Sequence, residues 1–163
     1  MKFPCPSCAQ NTRAVKAVTL RSLLSSTAMP TAGDLEGFRF CPTASCEVVY
    51  FRPEDGQRFA SNSLTVPVFQ KSESVDRLVC YCFDHSVDEI SKEIEREGTS
   101  GAIESITLKC RNGEDHCPET NPQGSCCLGN VRAVVKAAQE KYNLAKPNKE
   151  EPSCCCGSST GDE

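Results

Sequence analysis

Short apolar runs broken by turn residues fill the first half of the chain, and longer stretches of three-and-four spacing fill the second. Phe38 to Phe40, Glu47 to Phe51 and Leu64 to Phe69 are β-branched or aromatic runs bounded by Pro, Gly, Asp and Ser, and they predict strands. Pro67 has no N–H to give a ladder, so the last run is expected at an edge or a strand end. Thr19 to Leu24 predicts a helical turn. Further on, Ser86 with Glu89 three residues later reads as a capping box. Val87, Ile90 and Ile94 share one face of the helix it opens, and Gly98 is the expected C-terminal cap. A shorter helix is expected over 101–109 with Ile103 and Ile106 inward. A third runs from Leu128 to Tyr142. Its Val131, Val134, Val135, Ala138 and Tyr142 form the apolar stripe, with Arg132, Lys136, Gln139 and Glu140 outside.

The polar stretch from Gln70 to Arg77 divides these two textures. The expected class is α+β: a small β-rich domain over 1–75, a small helical domain over 76–145, and a tail over 146–163. The tail's Lys, Asn, Pro, Glu, Ser and Gly composition predicts disorder. Among 163 residues there is no Trp, and aromatics are 6%. Two small units with so little aromatic bulk bury too little surface to stand alone, and metal staples are the usual remedy. The net charge of −4 argues against a nucleic-acid surface. The segment from Met1 has no apolar signal core, and no apolar run approaches the ~20 residues of a membrane span. A cytoplasmic protein without membrane insertion is expected, in a compartment that keeps thiols reduced. The 13 cysteines are an odd number, which rules out complete internal disulfide pairing. Clustered thiols then point to metal sites.

Cys5-Pro-Ser-Cys8 and Cys41-Pro-Thr-Ala-Ser-Cys46 are two knuckles, each able to present two thiolates to one ion. Together they predict a closed tetrahedral Zn2+ site of the structural kind. A rubredoxin-like iron in the same place and unligated core cysteines are the alternatives. A zinc-ribbon interaction module is a further reading, which the acidic balance disfavours.

Cys80-Tyr-Cys82, with Cys117 and Cys127 later, supplies a second set of four thiolates, the number an iron–sulfur cluster needs. Cys80 and Cys82 precede the Ser86 cap, and Cys127 precedes the third helix. Helix N-termini there offset the negative charge of such a cluster. Cys126 competes with Cys127, and Cys110 with Cys117; the simpler reading of Cys110 is a small buried hydrophobe. His85 and His116 are expected at the surface, although His116 beside Cys117 can also replace a thiolate. No Ser–His–Asp set, phosphate loop or paired carboxylate site stands out, so an ordinary organic active site is not expected.

The pattern C-x-C, two helices, then cysteines ahead of Val131-Arg132-Ala133 resembles the bacterioferritin-associated ferredoxin family. In that family the last ligands form C-x2-C, whereas Asn130 stands at the final position here. The segment Cys117-Pro-Glu-Thr-Asn121-Pro122-Gln-Gly124-Ser-Cys126-Cys127-Leu128-Gly129 resembles the amino-terminal domain of CopZ-type copper chaperones. So do the C-P-x-C, F-C-P-x-x-x-C-E-V-V-Y-F and V-P-V-F-Q segments, and the resemblance covers residues 3 to about 142. It implies zinc at Cys5, Cys8, Cys41 and Cys46, and a [2Fe-2S] cluster at Cys80, Cys82, Cys117 and Cys127. CopZ-type chaperones continue into a copper domain with M-x-C-x-x-C, which this sequence does not carry, so their usual delivery route is not implied.

Cys154, Cys155 and Cys156 are adjacent thiols suited to a soft ion such as Cu+ or Hg2+; an exposed thiol cluster without a dedicated metal, or one that supplies electrons, is the alternative. The expectation is an iron–sulfur metallochaperone or soft-metal handling protein. One-electron transfer, for example Cu(II) to Cu(I), would combine with capture of the ion by the tail. Its partners would be the soft metal ion and a metal-transporting ATPase or a redox partner. The alternative is a ferredoxin-like electron donor that delivers no metal.

Overall fold

The computed structural model describes residues 2–142; Cys154, Cys155 and Cys156 and the rest of the expected tail lie outside the described residues. The first unit is an antiparallel sheet in the order β1 (Arg13–Ala14), β2 (Arg39–Phe40), β3 (Val48–Phe51) and β4 (Arg58–Ala60). Helices α1 (Ala17–Leu23) and α2 (Met29–Ala32) lie between β1 and β2 in sequence. All four residues of β3 are buried. Its register shifts between Val48 and Tyr50, as at a bulge. Val49 and Tyr50 thereby join the apolar core with Leu20, Phe38, Phe40 and Phe59. Val48 and Phe51 pack instead on Cys5, Cys41 and Cys46. The central strand therefore has the oily core on one side and a thiol cluster on the other.

The strand expected over Leu64 to Phe69 is absent. Leu64 makes a single bridge to Leu24, and 3-10 turns at Ser61–Ser63 and Phe69–Lys71 take the surrounding chain. Pro67 cannot donate to a ladder, and the fourth strand forms upstream around Phe59, a buried residue between exposed Arg58 and half-buried Ala60.

In the second unit a hairpin of β5 (Leu78–Cys80) and β6 (His85–Ser86) leads into α3 (Val87–Glu97). The capping box forms as the sequence predicts: Glu89 N–H donates to Ser86 Oγ at 3.1 Å, and Ser86 N–H to Glu89 Oε2 at 3.4 Å. Gly98 takes the left-handed conformation and donates its N–H to Ile94 O. Helices α4 (Ala102–Arg111), α5 (Cys117–Thr120) and α6 (Leu128–Lys141) follow. Ile90, Ile94, Ile106, Leu128 and Val131 form a second apolar core. Gln139, expected outside, is buried, because α6 packs on both α3 and α4 and so buries more than a narrow stripe. The single turn α5 was not expected from periodicity, being too short to show one. Among the described residues no helix is long and apolar enough to cross a membrane.

Candidate metal centres

The first knuckle turns tightly: Ala9 N–H donates to Cys5 O, and Cys5 N–H to Gln10 O. The second is set by the sheet, Cys41 following β2 and Cys46 preceding β3, with Cys41 N–H on Val49 O. The Sγ atoms of Cys5, Cys8, Cys41 and Cys46 all lie within 4.8 Å of one another. Cys5 to Cys46 is 3.8 Å and Cys8 to Cys41 is 3.6 Å. A Zn–S bond of about 2.3 Å gives a tetrahedral edge of about 3.8 Å, so these thiols already stand at the corners of a zinc shell. The Thr43 hydroxyl, hydrogen-bonded to Cys8 at 3.3 Å, pulls that thiol down to about 6. Burial pushes Cys41 up to about 12. Lys71 Nζ donates to the carbonyls of Thr43 and Cys46 at 2.7 and 2.9 Å, which sets a positive charge against an anionic thiolate shell.

The second set also converges. Cys80 ends β5, Cys82 lies in the following turn, Cys117 opens α5, and Cys127 is the N-cap of α6. Cys82 Sγ is 3.6 Å from Cys117 Sγ, and the Cys80 and Cys127 thiols are hydrogen-bonded to each other. Cys126 also reaches Cys117, so five thiols gather here. Cys110 sits in the apolar core on α4. Unlike the first set, the second does not draw all of its sulfurs within 4.8 Å of one another; Cys117 reaches Cys126, Cys127 and Cys82, and Cys80 reaches Cys127.

The protons divide unequally among these thiols. Hydrogen bonds from Cys117 and Cys80 pull Cys127 down to about 4. Cys117, with help from the Thr120 hydroxyl and the His116 N–H, pulls Cys82 down to about 6. Cys80 is pushed up by its bond to Cys127 and by burial, and Cys117 by its bonds to Cys126, Cys127 and Cys82. The Cys82 and Cys127 thiols are thus held low and the Cys80 and Cys117 thiols high.

The loop between Cys117 and Cys127 is fastened by its own side chains. Asn121 Oδ1 accepts from Gln123 N–H, Asn121 Nδ2 donates to Ser125 O, and Gln123 Nε2 donates to Cys126 O at 2.7 Å. The first unit holds the same loop from outside. Thr19 Oγ1 donates to Pro118 O at 2.5 Å and Tyr50 Oη to Pro122 O at 2.6 Å. Gln70 Nε2 reaches Gln123 Oε1 at 2.8 Å. Nothing in the local spacing marks Thr19, Tyr50, Thr43, Lys71 or Thr120 as site residues, since each acts across a long stretch of chain. His116 is exposed as expected. His85 is not at the surface: its side chain is 17% exposed, and its Nε2 is buried.

Residues 2–65 match the zf_CopZ family model, a zinc binding domain. The copper chaperone CopZ of Archaeoglobus fulgidus is 34% identical over 90 residues, which cover 55% of this chain and 42% of that protein. The chain thus spans less than half the length of this curated relative. The X-ray structure of the Archaeoglobus fulgidus CopZ N-terminal domain aligns with a TM-score of 0.67 at 26% identity, covering 81% of this chain and 97% of that one. The first unit is accordingly similar to the zinc binding domain of the CopZ type, and the fold as a whole is the α+β arrangement seen in the CopZ N-terminal domain.

Proposed function

We propose that this chain, built on a CopZ-type zinc binding domain, is a soft-metal handling protein with copper as its first cargo and two resident inorganic centres. Zinc is assigned to Cys5, Cys8, Cys41 and Cys46, and a [2Fe-2S] cluster to Cys80, Cys82, Cys117 and Cys127. The observation that supports the second assignment is the convergence of these thiols from β5, α5 and the N-cap of α6, with Cys82 beside Cys117 and Cys127 in reach of both Cys117 and Cys80. Four thiolates are the number such a cluster needs. Cys127 is preferred to Cys126 because it pairs with Cys80 and caps α6.

When bound, such a cluster supplies one electron at a time, the stoichiometry needed to take Cu(II) to Cu(I). The residues of the chain hold and tune the site. The open N–H groups of α6 face the end of the chain that carries Cys127 and offset negative charge there. Thr120 Oγ1 and the His116 N–H, each 3.2 Å from Cys82 Sγ, draw charge from that sulfur. The zinc shell has no open position, so its part is structural. Cys154, Cys155 and Cys156 are assigned as acceptors of the reduced soft ion, and a metal-transporting ATPase is the partner proposed to receive it. Support for copper rests on the relative named a copper chaperone.

Anaerobic purification with metal and sulfide analysis tests the centres. About one zinc, two irons and two sulfides per chain are expected. A folded, iron-free chain would sink the cluster assignment. Changing Cys154, Cys155 and Cys156 together to Ser should abolish stoichiometric Cu(I) binding; unchanged affinity removes the tail from the scheme.

A second reading, electron donation to a partner protein without metal delivery, draws on the partial exposure of Cys82 and Cys126, which gives electrons a route out of the fold. A pull-down that recovers a redox partner, with no stoichiometric Cu(I) binding by the chain, would favour it.

A further inference from the structure

Cys126 and Cys127 are adjacent in sequence and both reach Cys117, yet the fold treats them differently. Cys127 is 1% exposed and bonds to Cys80 as well. Cys126 is only half-buried. Side chains one residue apart with the same chemistry are distinguished by the backbone alone. What turns one inward and the other outward is the setting of the planar peptides on either side of Cys126.

One side chain holds both of those peptides. Gln123 Nε2 donates to Ser125 O at 3.3 Å and to Cys126 O at 2.7 Å. Each planar unit carries its N–H together with its C=O, so fixing these two oxygens also fixes the N–H groups of Cys126 and Cys127. Beyond Cys127, the Val131 N–H holds Cys127 O at 3.0 Å in the first turn of α6. Three consecutive peptides are therefore set, and two of them are set by Gln123.

Gln123 is itself oriented. It is 8% exposed, and its Oε1 accepts from Gln70 Nε2 at 2.8 Å and from Asn130 Nδ2 at 2.9 Å. A side-chain amide offers two N–H donors and an oxygen with two lone pairs, so these four bonds use all of it. Gln70 belongs to the 3-10 turn before the second unit and Asn130 to α6, so the amide is fixed from both sides of the loop. Turning it over would set donor against donor at Gln70 and at Asn130.

We propose that Gln123 is a positioning residue that selects between the two adjacent thiols, holding Cys127 inward as the partner of Cys80 and leaving Cys126 as the outward, reactive one. This inference deepens the choice of Cys127 in the [2Fe-2S] reading above. Sequence spacing leaves the two thiols equivalent, and the buried amide breaks the tie.

The test labels the full chain, purified without oxygen, with an alkylating reagent, and fragmentation mass spectrometry separates the adjacent sites. Iron and sulfide content of the wild type tests the cluster reading alone, whereas the labelling ratio depends on the fold. In the wild type Cys126 should label at least about tenfold faster than Cys127, which burial shields from the reagent. Equal rates overturn the proposal. Gln123→Met keeps the length of the side chain and removes its donors, so the ratio should fall by about tenfold. Labelling of Cys5, Cys8, Cys41 and Cys46 should stay as in the wild type, which a general loosening of the fold would not allow. An unchanged ratio, or an equal rise at every thiol, overturns the proposal. If Gln123→Met does not fold, Gln70→Met combined with Asn130→Ala decides, since it leaves the amide in place and strips both partners from its oxygen. A ratio lowered by about threefold or more supports the selector role. An unchanged ratio, or failure of this variant to fold as well, overturns it.

Discussion

Tyr50 of the zinc-binding unit donates its buried hydroxyl to the carbonyl of Pro122, in the loop that carries the second thiol site, across 72 positions of sequence and 2.6 Å of space. Burial raises the Tyr50 hydroxyl above its ordinary range, so it stays protonated and remains a donor. Pro122 is buried as well. Tyr50→Phe keeps the ring and leaves that carbonyl unpaired, at a cost of roughly 1–3 kcal/mol. A lower melting temperature is expected, with faster amide exchange concentrated in residues 117–127. Uniform exchange throughout the chain would show that the contact does not organise the loop.

The same relationship ties the two centres together. Cys46 and Thr43 are held through Lys71, the neighbouring Gln70 holds Gln123, and Gln123 holds Cys126. Binding energy at a structural zinc site is largely folding energy, so emptying it loosens the surface to which the loop is fastened. Cys41→Ser should therefore weaken the first unit and also raise the reactivity of Cys82 and Cys127 toward a thiol reagent. Mass mapping of labelled cysteines reads this directly. Unchanged labelling at both positions would make the units independent.

Gly124 has φ +69, and a Cβ there would stand 3.1 Å from Thr19 Oγ1 and 3.2 Å from Val15 Cγ1. Gly98 has φ +76, with nothing within 4 Å of a Cβ. Ala at either position meets the backbone penalty of about 1–2 kcal/mol. Only Gly124→Ala also presses the loop away from α1. It should be the more destabilising of the two in denaturant titrations, and equal losses would show that the contact yields freely.

Zinc affinity should rise with pH through the neutral range. Zinc takes thiolates, and the metal-free Cys41, pushed up to about 12 by burial, must give up a proton on binding at any lower pH. Cys8, pulled down to about 6 by Thr43, adds a proton to that count only as pH falls through about 6. Each released proton contributes about tenfold in affinity per pH unit. Thr43→Val removes the hydroxyl that holds Cys8 down, so the pH dependence between 6 and 8 should steepen. Competition against a chromophoric chelator at several pH values measures the slope, and an identical slope in the variant would remove Thr43 from the account.

Local signals were read correctly wherever the interaction was itself local. The Ser86–Glu89 box, the Gly98 cap, the Phe38–Phe40 and Val48–Phe51 strands and the two zinc knuckles each depend on residues close in the chain. Leu64 to Phe69 misled because its apolar composition suits a strand, whereas Pro67 and the early pairing of Phe59 with Tyr50 leave it no ladder to join. His85 misled because burial depends on what packs over a residue, and its own neighbours in sequence are mostly polar.

The order of amino acids alone made the chemistry legible: cysteines stand in close pairs such as Cys5 with Cys8, Cys41 with Cys46 and Cys80 with Cys82, and helices begin beside the later ones. Those properties follow from spacing along a single segment. Only the folded arrangement decided that Cys80 meets Cys127 and Cys82 meets Cys117, that Cys126 joins them, and that Tyr50 and Thr19 grip the loop from another unit. Contacts of that kind depend on which surfaces close over one another, and no short stretch of chain contains both partners.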